Sequence, residues 1–175
     1  MAGSAVRSFR DACGLFATGV TVVTTGSGEA AHGMTANAFM SVSLAPPLVA
    51  ISVAETARIC PRIQDAHQFA VSVLPRDAER TAWHFAGKPS PGATPVFCDL
   101  NGFSVISGAA AAFTCDLEQD IAAGDHRIFV GRVRALRRCS ALEPLVFHRS
   151  AFAGVDLSAI KGLHVEEEDT DVLLE

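Results

Sequence analysis

The chain has 175 residues, is 49% apolar and 19% charged, and carries a formal net charge of −5. That is one domain's length, with enough apolar side chains for a sizeable core, and the low charge fits burial of some surface against a second subunit. Residues 156–175 hold seven acids against Lys161, a charge of −6, which leaves residues 1–155 at +1. A body so close to neutral excludes a nucleic-acid binder by charge.

The charge asymmetry divides the chain into a domain over 1–155 and an acidic, solvated tail over 156–175. The alternative for the tail is a short final helix that packs Leu163, Val165, Val172 and Leu173 on a partner. Cys13, Cys60, Cys98, Cys115 and Cys139 are odd in number and widely spaced, with no C-x-x-C. They read as free thiols in a reducing cytoplasm, not as a disulfide frame or zinc site. Arg7 and Arg10 before ACGLFATG resemble the start of a secretion signal, but Asp11 interrupts it and the strand-like TVVTT follows.

In chain order, Phe9, Cys13 and Phe16 predict an amphipathic helix over 4–18, stopped by Gly19. The β-branched run Val20–Thr25 is a strand. Gly26-Ser27-Gly28 turns it toward a return strand over 30–34. Residues 39–44 and 48–53 are two further strands, joined at Pro46-Pro47. From Ala30 to Ala54 the chain has no charged side chain apart from His32. Such a run raises the question of a membrane span. The prolyl pair and the Thr, Asn and Ser side chains answer it, because a prolyl pair breaks a helix and polar groups are costly in lipid. Residues 54–60 form a loop, and a helix starts with Pro61 in its first position. Residues 69–74 form a strand, Pro75-Arg76-Asp77 starts a helix to about Ala86, and 87–95 is a Pro/Gly loop. Alternation over 109–119 and 127–137, with a turn at 122–125, predicts a long hairpin. Residues 145–147 are a last short strand. Eight antiparallel strands and three short helices fit a closed or split barrel.

Three stretches carry candidate chemistry. Alternation from Gly33 to Leu44 places Thr35, Asn37, Ser41 and Ser43 either around one ligand or on the wet face of a half-exposed strand. Thr56-Ala57-Arg58, just before a helix start, offers a hydroxyl, a guanidinium and free N–H groups to a phosphate. Gly124-Asp125-His126 puts a histidine on a hairpin turn, where ordinary surface is the competing reading. The six histidines are scattered and form no metal-ligand spacing. No G-x-S-x-G, G-x-G-x-x-G or Walker loop occurs, so a hydrolase elbow and a Rossmann or P-loop site are unsupported.

Together, FATGVTVVTT (16–25), GMTANAFMSVSLAPPLVAISV (33–53), FAVSVL (69–74), HFAG (84–87), GAAAAFTC (108–115), GDHRIFVGRV (124–133) and PLVFHRSAF (144–152) resemble the flavin reductase-like family. The resemblance implies a mainly β fold, the FMN-binding split barrel, antiparallel and Greek-key-like. It implies a flavin ring and ribityl chain against Thr35, Ala36, Asn37, Ser41, Val42, Ser43 and Leu44. Ser52 and Ala54 add to that cofactor-binding set, and Thr56 and Arg58 hold the phosphate. His148 and Arg149 face the nicotinamide side, and His126 is the catalytic candidate, orienting the nicotinamide or tuning the field. The implied reaction is hydride transfer from NADH or NADPH to FMN or FAD, with no metal and no acid–base dyad. Reduced flavin would then diffuse to a partner monooxygenase. The implied assembly is a homodimer. A flavin-retaining, partner-docking protein with little turnover and an oxidase of a bound organic substrate are the competing readings.

Overall fold

The structure, a computed structural model, describes residues 2–89, 91, 95–139, 142–155 and 170–174. It opens with helix α1 (Ala2–Cys13), then β1 (Thr18–Gly19), β2 (Thr21–Thr25), β3 (His32–Ala36), β4 (Phe39–Leu44) and β5 (Pro47–Ala54). Helix α2 (Ile59–Ala66), β6 (Gln68–Val73) and helix α3 (Glu79–Phe85) follow. The second half is β: β7 (Phe97–Leu100), β8 (Phe103–Ile106), β9 (Ala111–Ala123), β10 (His126–Arg138), β11 (Val146–His148), β12 (Ala151–Ala153) and β13 (Thr170–Leu173). Among the described residues no helix is long and apolar enough to cross a membrane.

The main sheet is antiparallel, in the order β3-β2-β6-β9-β10-β5-β4. Its two end strands, β3 and β4, are consecutive in the chain and joined by Asn37-Ala38. The Ser52 N–H donates to the Ala38 carbonyl at 3.1 Å, which ties that connection to β5. The sheet therefore curls on itself and leaves a seam at Asn37, the split of a split barrel.

β2 explains how so polar a sequence forms a central strand. All five of its residues are buried. Each threonine hydroxyl donates to a backbone carbonyl: Thr21 to Ala36 at 2.7 Å, Thr24 to Ser104 at 2.6 Å and Thr25 to Gln68 at 3.0 Å. Left unpaired, each would cost about 1–3 kcal/mol. Inside the barrel Phe69, Phe129, Ile51, Ile59 and Ile63 are fully buried. A Cβ on Gly131 would lie 2.5 Å from Phe69 Cζ, so this strand position must be glycine for the ring to fit.

The strand pattern is richer than the eight expected. The first helix ends at Cys13, not at 18, and Gly14 rather than Gly19 follows it. The freed residues give β1, which pairs with β11. The helix expected to start at Pro61 starts two residues earlier. There Pro61 is still in the first turn, where a missing N–H removes no internal bond. The helix expected from Pro75 starts at Glu79. Residues 97–106, assigned no element from the sequence, form the β7–β8 hairpin across Asn101 (φ 51°) and Gly102 (φ 83°). Of the expected tail, residues 156–169 and 175 lie outside the described residues. Thr170–Leu173 is a strand paired with residues 135–138 of β10, not a helix. Arg137 grips it through Asp171 at 2.7 and 2.8 Å.

Candidate active site

The cationic end of the site follows from how β5 meets α2. The turn after Ala54 is pinned by the Glu55 N–H, which donates to the Asp125 carbonyl at 3.0 Å. It is braced from outside by Arg127, whose Nε donates to Asp120 at 2.6 Å and whose Nη1 lies 3.5 Å from Glu55. Gln64 of α2 donates to the other Asp120 oxygen at 2.8 Å. The Arg127 hydrogen bond, helped by Gln64 and opposed by burial, holds the Asp120 carboxyl below its ordinary range. With this frame fixed, Arg58 caps α2 and no side chain caps it in turn. The backbone N–H groups of Thr56 and Arg58 have no acceptor among the described residues. Open N–H groups at a helix start, beside a guanidinium, suit an anion.

Thr56 and Arg58 border a cleft of about 830 Å³. His32, Gly33 and Met34 of β3, His84 and Phe85 of α3, and Phe97 line the same cleft. A Cβ at Gly33 would sit 2.5 Å from the Phe85 ring, so the glycine admits that ring against β3. Burial, then Arg62, then Arg58 push the His32 imidazole below its ordinary value. His84 has a buried Nδ1 with no partner among the described residues.

The second end lies at the seam, where two mainly apolar pockets carry a few polar groups. Thr35, Ala36 and Asn37 share a 260 Å³ pocket with Trp83, Phe147 and Ser150. Asn37 also borders a 400 Å³ pocket with Ala38, Ser52, Ile128 and Phe16. The Asn37 amide donates to Thr18 at 3.3 Å. The Thr35 hydroxyl donates to the Ala82 carbonyl at 2.6 Å, so it ties α3 to β3 and keeps only acceptor capacity for a ligand. The β3–β4 connection at Asn37-Ala38 and a register shift between Ser41 and Ser43 break the alternation that would have put Thr35, Asn37, Ser41 and Ser43 on one face.

The other expected residues are dispersed. Ser41, Val42 and Leu44 are exposed on the edge strand β4, and the Ser43 hydroxyl accepts from the Ala45 N–H at 3.2 Å. His126 pairs in register with Ala54, at the start of the cationic turn, with its Nδ1 2.7 Å from the Asp125 carboxylate. That hydrogen bond, then the imidazole's charge, holds Asp125 below the ordinary range. His148 ends β11 on the seam side, beside β1. Arg149 and Ser150 form the β11–β12 turn with φ of 49° and 64°, and the Arg149 N–H donates to Gly14 at 2.9 Å. Gly33, His32, His84, Phe85 and Phe97 were not proposed from the sequence. The quoted HFAG stretch was the available signal for His84 and Phe85.

The seam pockets are mainly apolar, with Thr35, Asn37 and Ser52 among their polar groups, and the turn before α2 is cationic. From Ser52 to Thr56 is four residues, at most about 13 Å of extended chain. Residues 13–156 match the family model described as flavin reductase like domain, and the chain belongs to that family. It is 39% identical over 151 residues to an NADH-dependent flavin reductase of a Rhodococcus species, covering 85% of each chain. It is 41% identical over 145 residues to the reductase component of 4-hydroxyphenylacetate 3-monooxygenase of Thermus thermophilus, covering 83% of this chain and 93% of that one. The solved structure of the flavin reductase PheA2 in its native state superimposes with a TM-score of 0.81 at 41% identity, over 85% of this chain and 97% of that one.

Proposed function

We propose that this chain is an NAD(P)H-dependent flavin reductase that reduces FMN or FAD and supplies the reduced flavin to a separate monooxygenase. The observation that carries this reading is the pairing of a seam pocket that presents Asn37 and Ser52 with a cationic turn, at most about 13 Å further along β5. When bound, the flavin and nicotinamide supply the chemistry, a hydride passing from nicotinamide C4 to flavin N5. The chain supplies position. Arg58 and the open N–H groups of Thr56 and Arg58 anchor the phosphate. Asn37, steadied by Thr18, and Ser52 meet the ring end at the seam. The turn at Arg149 and Ser150, packed against Gly14, and His148 border the side from which the nicotinamide approaches. His126, oriented by Asp125, is the charge-tuning group nearest the turn. Hydride transfer between stacked rings needs no general base, and near-attack placement is the main requirement on the protein.

NADH absorbance followed with and without added flavin tests the reading. Turnover that rises with added FMN or FAD is the expected result. A flavin-retaining yellow protein, indifferent to added flavin and nucleotide, overturns it.

The working assembly is a homodimer. Phe9 and Phe16 are 71% and 76% exposed, Met40, Val42 and Leu44 of the edge strand are exposed too, and Phe16 and Met40 line one seam pocket. A soluble monomer does not leave so many large apolar side chains wet on one side. Sedimentation velocity should read two copies for the native chain and one for the Phe9→Asp/Leu44→Asp variant, and a native monomer removes the proposal. The cytoplasm, where the five free thiols stay reduced, is the matching compartment.

A further inference from the structure

The far end of β10 is a strand edge that the barrel itself does not fill. β5 pairs with β10 only from His126 to Arg132. It stops there because Pro46-Pro47 turns the chain away, and a proline has no N–H to give to a ladder. β13 takes up the same edge at residues 135–138. Both strands run antiparallel to β10, so they lie end to end in one row. The receiving stretch carries Arg134, Arg137 and Arg138 within five residues. Arg137 is positioned from the body's side. Its Nη1 donates to Cys98 Sγ at 3.3 Å and its Nη2 to the Asp99 carbonyl at 3.4 Å. It meets Asp171 with two parallel hydrogen bonds, the strong form of such a pair. The Leu174 N–H donates to the Arg134 carbonyl at 2.7 Å, and the Leu174 side chain packs on the main core, as Phe113 and Leu136 do. Against this, β13 is only four residues long, and Asp171 and Leu173 are exposed. A short strand in so shallow a seat opens more easily than the strands of the barrel. An edge left open is a template for pairing with another chain.

We propose that residues 134–138 of β10 form a docking site for an acidic, leucine-ended strand, that the chain's own C-terminal strand fills it as a detachable cap, and that the cap keeps this edge from pairing with another copy. None of these residues lines the cleft or the seam pockets described above, so the proposal stands apart from the reductase reading.

Hydrogen exchange and sedimentation velocity on the full-length native protein and on Asp171→Lys test it. In the native protein, residues 170–174 should exchange faster than β6. In the variant, like charges meet at Arg137. Exchange at 134–138 and at 170–174 should then speed up by roughly tenfold or more, the worth of one charge-assisted hydrogen bond, while β6 keeps its protection. The variant should form species larger than the native assembly. A synthetic peptide of residues 168–175, added in excess, should restore both the protection at 134–138 and the native size. If β13 exchanges as slowly as β6 in the native protein, or if the variant loses protection in β6 as well, the strand is part of the cooperative core and the proposal falls. Unchanged protection at 134–138 in the variant also overturns it. An uncapped variant that keeps the native size removes the guarding function, and a peptide that restores nothing removes the docking site.

Discussion

Replacing Arg58 by alanine should weaken binding of both FMN and FAD by roughly ten- to a hundredfold and leave riboflavin binding unchanged. The size follows from losing a hydrogen-bonded charge contact worth about 1.5–3 kcal/mol. The selectivity follows from geometry. Arg58 stands at the start of α2, away from the seam, and riboflavin has no phosphate to reach it. Arg58 is exposed and packs nothing in the core, so the thermal midpoint should hold. Titration of the three flavins against the variant checks this. An equal loss for riboflavin would mean that Arg58 supports the ring end or the fold, and no loss for FMN would remove it from the site.

The second large effect is on stability. Phe69 is fully buried at the centre of the barrel, with its Cζ against Gly131. Phe69→Ala should cost about 3–5 kcal/mol, the usual range for a buried phenylalanine. For a domain of this size that lowers the melting temperature by roughly 6–20 °C. Gly131→Ala should also destabilise, because its Cβ would meet Phe69 Cζ at 2.5 Å and Cys115 Cβ at 2.7 Å. The two should not add. With the ring gone, the new methyl fills part of the void, so the double variant should be more stable than the sum of the single losses predicts. Denaturant unfolding of the four proteins measures the coupling, and strict additivity would show that the two groups do not share that space.

These two sites also mark what could be read from the sequence. Barrel strands with a strong local signal were legible: the Val-Thr run of β2, the alternation of β9 and β10, and the proline corner between β4 and β5. The β7–β8 hairpin was missed although Asn101-Gly102 is a favoured two-residue turn pair. β1, β11 and β12 are two or three residues long, too short to carry a period, and exist because they pair with one another. β13 lies in an acidic stretch with no strand signal of its own, and Arg137 supplies the charge that makes it a partner. At the site, Thr56 and Arg58 were legible because they are neighbours in a turn before a helix. The rest of the cleft lining was not. His32, His84 and Phe97 come from three segments, and only the packing of α3 on β3, allowed by Gly33, gathers them.

The seam at Asn37 bears on how such a protein lets go of what it holds. Elsewhere around the barrel, adjacent strands are stitched by backbone ladders, and parting them means local unfolding. Along the seam β3 and β4 face each other as sheet ends, and among the described residues no ladder joins them. A ligand held there as proposed would leave when pocket-lining side chains reorient, with every strand pairing intact. Side chains reorient in picoseconds to nanoseconds, whereas local unfolding takes microseconds to seconds. A catalyst whose product must depart on every cycle is thus spared a slow exit, and the gap in the barrel wall is the architectural form of that economy.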